Sequence, residues 1–140
     1  MIKFHSIKQI EHFYGFENAV AKTDVLNGDF GTVTDGEFAT AANATKAIML
    51  LEVGDDMNMP EYKIPKGTDL RVLDLAKLNG QLIEVYGAQL PKTFAKGDKL
   101  VSTATGALEV SSGDSVVAPY YEVTKIIDNK IGVEVKVVAE

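Results

Sequence analysis

His5 and His12 are the only two imidazoles in the chain, and with Glu11 and Glu17 close by they are the first candidates for chemistry. Seven residues apart, they could share one face of a helix, as metal ligands do. His5, however, precedes the residue that would cap such a helix, and there is no third nitrogen ligand, so no metal site is expected. Cysteine is absent, which removes disulfides and thiolate ligands together and leaves the redox compartment open. The serines are Ser6, Ser102, Ser111, Ser112 and Ser115, none in the strand–turn–helix setting that presents a nucleophile to a histidine. Asp55 and Asp56, beside Met57-Asn58, lack the alternating aspartates and central glycine of a calcium loop and read as a solvated loop. Gly28-x-x-Gly31 has glycines that could cradle a phosphate, but no lysine follows and no helix opens there. No catalytic residue, cofactor or metal is expected from these patterns, and the chain reads as a non-enzyme.

Composition narrows the partners. At 140 residues the chain is one domain, or one domain with an arm, and can bury a substantial core. Its net charge is −6 and no basic run occurs, which argues against a nucleic-acid partner, since phosphate binding needs a basic stripe. The longest apolar run, Ala47-Ile48-Met49-Leu50-Leu51, is far short of the roughly 20 residues of a membrane span. Met1 to Phe16 carries Lys3, Lys8 and Glu11 among its apolar residues, too polar for a signal peptide, so a soluble chain made in the cytosol is expected.

The elements that would position any site are strands. Lys96-Gly97-Asp98-Lys99-Leu100-Val101 reads as a tight turn releasing a strand. The unit recurs as Ser112-Gly113-Asp114-Ser115-Val116-Val117, and more loosely over Lys66 to Val72. Asn27-Gly28-Asp29 and Asp35-Gly36 are hairpin-type dipeptides with one short strand, Phe30 to Thr34, between them. Ala39 to Thr45 is poor core material and reads as a loop or loose edge, followed by a buried strand from Lys46 to Val53. A helix over Ala39 to Leu51 is disfavoured by Thr40, Asn43 and Thr45. Strands at Asp69 to Leu78 and Gln81 to Tyr86 flank Asn79-Gly80, the clearest two-residue hairpin signal. Short strands at Lys99 to Thr103 and Ala107 to Val110 flank Thr105-Gly106.

At the end of the chain Ile131, Val133, Val135 and Val137 alternate with polar residues, so one face should be buried, paired antiparallel with Tyr120 to Ile127. A three-residue loop over Asp128 to Lys130 would set Ile127 against Ile131, Val123 against Val135 and Tyr121 against Val137, keeping both apolar faces on one side.

The N-terminus differs. Ser6-Ile7-Lys8-Gln9 has the form of a capping box, and Ile7, Ile10 and Tyr14 follow at helical spacing up to Gly15. A helix of two turns is marginal alone and needs something to dock on. It is either a flap on its own domain or an arm that docks on a neighbouring subunit. Ile2, Phe4, Ile7, Ile10, Phe13, Tyr14 and Phe16 are the candidate protein-binding residues. The whole therefore reads as all-β, mainly antiparallel: a compact β-barrel or β-sandwich over residues 18–140, with an N-terminal arm or flap over residues 1–17 carrying a short helix.

The runs Ile64-Pro65-Lys66-Gly67-Thr68-Asp69-Leu70-Arg71-Val72, Leu78-Asn79-Gly80-Gln81-Leu82-Ile83-Glu84-Val85 and Lys96-Gly97-Asp98-Lys99-Leu100-Val101, the last followed by Gly106-Ala107-Leu108, resemble the small head decoration, or cement, proteins of tailed bacteriophages. The resemblance covers about Asn18 to Glu140. It implies a structural virion protein on the capsid exterior, made in the host cytoplasm, that binds the major capsid protein and strengthens the lattice. It further implies no catalysis and no cofactor, no nucleic-acid or membrane partner, and contacts with other copies of itself. The competing readings are another phage β-module (a tail, head-completion or host-surface binding subunit) and a small enzyme or ligand-binding barrel.

Overall fold

The computed structural model describes residues 1–5, 15–49 and 62–140. Thirteen strands follow one another among the described residues: β1 (Ile2–Phe4), β2 (Phe16–Ala21), β3 (Val25–Leu26), β4 (Phe30–Thr34), β5 (Glu37–Thr40), β6 (Lys46–Ile48), β7 (Lys63–Ile64), β8 (Asp69–Asp74), β9 (Leu82–Tyr86), β10 (Lys99–Ser102), β11 (Leu108–Val110), β12 (Tyr120–Ile127) and β13 (Gly132–Val138). They form a closed five-stranded barrel in the order β2-β5-β4-β6-β8, a six-stranded sheet in the order β1-β9-β13-β12-β10-β11, and a two-stranded ribbon of β3 and β7. Among the described residues all pairings are antiparallel except β2 with β5. The all-β, mainly antiparallel expectation holds, with barrel and sheet packed together rather than one or the other.

The barrel shares a wall with the sheet's core. In β6, Ala47 and Ile48 are both fully buried, as are Val72 and Leu73 in β8. Adjacent strand residues point to opposite faces. Ile48 and Val72 fill the barrel interior with Phe38, Leu70, Ala19 and Ala21, while Ala47 and Leu73 join Phe30 against the six-stranded sheet. A five-stranded barrel is narrow, so β2 contributes only alanines beside the single large Phe38 ring. Gly31 completes the fit, because a Cβ there would collide with the carbonyl of Ala39 and the ring of Phe38. On the sheet side the inner face carries Ile83, Val85, Leu100, Tyr121, Val123, Val133, Val135 and Val137. The Tyr121 ring lies 5.0 Å from that of Phe30, and its hydroxyl donates to the Ala44 carbonyl at 2.8 Å.

Asp35 and Gly36, at φ of 52° and 76°, turn β4 into β5 as the dipeptide suggested. β5 thus takes in Ala39 and Thr40, the start of the Ala39 to Thr45 stretch expected as a loop or loose edge, because Phe38 supplies the apolar anchor that its neighbours lack. Of the strand expected over Lys46 to Val53, the part to Ile48 is present and residues beyond 49 lie outside the described ones.

Asn79-Gly80 is not a hairpin. Asn79 has φ −51° and ψ 128°, Gly80 has φ 80°, and the N–H of Gln81 donates to Leu78 at 2.8 Å, which is a type II turn rather than type I′. Such a turn does not match the twist of paired strands. A short 3-10 helix over Leu75–Leu78 precedes it, and the chain crosses from β8 in the barrel to β9 in the sheet. Asn27-Gly28 likewise turns the chain without joining paired strands, since β3 pairs with β7 and β4 with β5 and β6.

The last hairpin divides in two. Tyr121 faces Val137 and Val123 faces Val135, as the three-residue loop required. Beyond a bulge at Thr124 the pairing shifts by one, so Lys125 meets Glu134 and Ile127 meets Gly132, not Ile131. The loop accordingly has four residues, with Asp128, Asn129 and Lys130 all at positive φ, and Ile131 stands 58% exposed in it. Replacing Val135 by Ala should therefore cost about 1–3 kcal/mol in denaturant unfolding, through lost burial and a cavity. Ile131→Ser should stay within about 0.5 kcal/mol. A comparable loss from both would contradict the bulge.

Candidate functional site

Of the seven candidate binding residues, Ile7, Ile10, Phe13 and Tyr14 lie outside the described residues, as does the expected helix. Ile2 is only 3% exposed: β1 pairs with β9, Ile2 opposite Val85, and its side chain belongs to the core. Phe4 and Phe16 meet edge to face, with centroids 6.0 Å apart, and the Arg71 guanidinium lies over the Phe16 ring at 5.2 Å. This aromatic pair joins the edge of the sheet to the first barrel strand. The opening residues are thus packed on the body, and whatever Phe4 and Phe16 present to a partner is presented from that position.

His5 is held on the outer face of the sheet. Its Nδ1 lies 3.0 Å from Glu134 Oε2 and 4.0 Å from Glu84 Oε1. Glu84 and Glu134 face each other on neighbouring strands, a like-charge pairing that the imidazole bridges. Thr124 donates to Glu134 at 2.8 Å, and the Tyr86 hydroxyl donates to Glu84 at 2.7 Å. Burial, then that hydrogen bond and the carboxylate charge, push Tyr86 up to about 12. Among the described residues no three histidine or acidic side chains are placed to hold a metal ion.

A dense polar arrangement among the described residues had no mark in the sequence pattern. In the turn after β3, Asp29 is buried, its Oδ2 accepting the N–H of Leu26 at 2.9 Å and its Oδ1 the Gln89 side-chain amide at 3.2 Å. Gln89, fully buried in a 3-10 turn after β9, also donates to the Asn27 carbonyl at 3.2 Å. The Met1 amine closes the knot, donating to the Tyr86 carbonyl at 2.9 Å and to Gln89 Oε1. Gly28 packs against the Met1 main chain at a distance that leaves no room for a Cβ. The glycines at 28 and 31 are therefore places of close approach, not a phosphate cradle. Burial lowers the Met1 amine from 8.0 to about 5, against the pull of the Asp29 charge, and burial raises Asp29 against the hydrogen bonds from Leu26 and Gln89.

Asp29 also borders a surface groove of about 600 Å³, within the size range of small-ligand sites. Val25, Ile64, Pro65, Ala88 and Ala107 form its apolar walls, with Asp24, Lys63 and Thr105 adding polar groups. Asn27-Gly28-Asp29 was legible as a turn, but Gln89, sixty residues away, bore no mark of its partnership with Asp29.

Comparison with protein-family models and with curated proteins gives no match for this chain.

The buried amine makes stability depend on pH. Its folded pKa lies below its unfolded one, so the unfolded chain binds the extra proton between about pH 5 and 8, and stability rises with pH across that window. The raised Asp29 acts oppositely, above the ordinary aspartate value of 3.8. A gain of a few kcal/mol from about pH 5 to pH 8 is expected in urea unfolding. A carbon NMR titration of Met1 should show a midpoint near 5. A midpoint near 8 would mean an amine that is not buried.

Proposed function

We propose that this chain is a structural virion protein of a tailed bacteriophage, binding the outer surface of the capsid lattice and stabilising it. The observation that carries the reading is the resemblance of residues 64–72, 78–85, 96–101 and 106–108 to head decoration proteins. Each run belongs to a turn-and-strand unit of a single β body. In the best of them, Gly97 takes φ 93°, the Asp98 carboxylate accepts the N–H of Ala95 at 2.7 Å, and β10 follows at once. A rigid β body with short turns suits a cement role, which requires only that one face keep its shape against the major capsid protein.

Ile7, Ile10, Phe13 and Tyr14 are the proposed contact residues, with Phe4 and Phe16 holding the segment's root on the body. Ile2 is a core residue of that root. Deleting the whole N-terminus would remove β1 from the sheet and confuse binding with folding. Ile10→Asp and Phe13→Asp, with residues 1–5 retained, make the better test. Each should leave the far-ultraviolet dichroism unchanged and weaken rebinding to capsids lacking the protein at least tenfold, about 1.4 kcal/mol. Unaltered rebinding by both variants would remove the segment from the interface. Failure of the unmodified chain to rebind at all would overturn the capsid reading.

With a net charge of −6, the chain should bind through apolar and main-chain contacts. Raising salt from about 0.05 to about 0.5 M should shift affinity by less than about tenfold. A steep fall would indicate a strongly basic partner surface or nucleic acid.

A further inference from the structure

The six-stranded sheet has two edges, β1 and β11. At β11, the N–H of Ser111 donates to Lys99 at 2.9 Å and the N–H of Thr103 to Ala107 at 2.8 Å. With Leu100 opposite Val110 and Ser102 opposite Leu108, the bonded pairs of this ladder are 99 with 111, 101 with 109 and 103 with 107. The main-chain groups of Leu108 and Val110 therefore point away from β10. Gly106, next in that outward row, is occupied, its carbonyl accepting the N–H of Phe30 at 2.9 Å. The row is thus closed by the barrel at one end and opens from Leu108 onward.

Edge strands are commonly guarded by charged side chains, lysine above all, by a proline or by a bulge. The other edge has Lys3 at its centre. Leu108-Glu109-Val110 has no lysine, proline or bulge, and its one charge is Glu109. Val110 is 37% exposed, and Val117, in the segment leaving β11, is 82% exposed.

We propose that this edge joins two copies of the chain, β11 pairing antiparallel with β11 of a second copy about a two-fold axis at Val110. Two constraints select that register. Outward-pointing residues must pair with outward-pointing residues, so the axis falls at Leu108, Glu109 or Val110. An axis at Glu109 sets the two glutamates directly opposite each other, which is unfavourable. An axis at Leu108 presses the second copy against the barrel, where Gly106 meets Phe30. At Val110 the second copy moves off toward Ser112, Val110 meets Val110, and each Glu109 meets a serine, Ser111 of the second copy. The two Val110 side chains cover each other, and the two sheets run on as one. This pairing is independent of the capsid reading and forms in free solution. Because each copy carries −6, it should strengthen as salt screens the repulsion.

The chain lacks cysteine, so single introduced thiols report directly on this contact. Val110→Cys should form a disulfide-linked dimer under mild oxidation at least tenfold faster than Lys92→Cys, an exposed control outside the strands. Sedimentation of the unmodified chain should show a concentration-dependent dimer, which Val110→Lys weakens at least tenfold while keeping the native dichroism. Three results would each overturn the proposal: a chain monomeric up to several hundred micromolar, dimers that persist in Val110→Lys, or Val110→Cys linking no faster than the control.

Discussion

Two neighbouring strands, each buried on both faces over one pair of residues, hold this protein together. Ala47-Ile48 in β6 and Val72-Leu73 in β8 each send one side chain into the barrel and the next into the core beneath the six-stranded sheet. Neither layer has a complete core without that wall. The barrel interior is small, with two alanines and one phenylalanine among its fillers, and the sheet's inner face would be open to water. Placing polar residues at any of these four positions would leave unpaired groups in one core or the other, which is costly. The turns matter because they deliver the chain to this wall and away from it.

Local chemistry was legible in the sequence and long-range pairing only in part. Asp35-Gly36 demanded positive φ at two successive residues, and the structure provides it. The valine alternation of β13 placed Val133, Val135 and Val137 on the core side, and all three are there. The same alternation misassigned Ile131, because a bulge at Thr124 absorbs one residue and an alternating pattern does not reveal a bulge on the partner strand. Asn79-Gly80 failed for a different reason. The dipeptide fits both a type I′ and a type II turn, and only the partners of the flanking strands decide which. Those partners, β2 and β6 for β8, and β1 and β13 for β9, are remote in sequence.

The polar knot of Asp29, Gln89 and the Met1 amine shows the same limit. A buried carboxylate is tolerable when its oxygens accept hydrogen bonds, and here both do. Nothing local to Gln89 announces that it will supply one of them. The opening residues also take on structural work beyond the arm or flap expected of them. Ile2 is core, and Phe4 meets Phe16 across the junction of sheet and barrel, so any arm that follows β1 leaves from a fixed root.

Barrel and sheet share one wall, and native-state hydrogen exchange examines that most directly. If the wall is shared, the slowest amides of β6 and β8 and those of β9, β12 and β13 should exchange through the same global opening, with equal free energies and equal sensitivity to denaturant. Amides of the barrel that exchange through a separate, less costly opening while the sheet stays protected would contradict it.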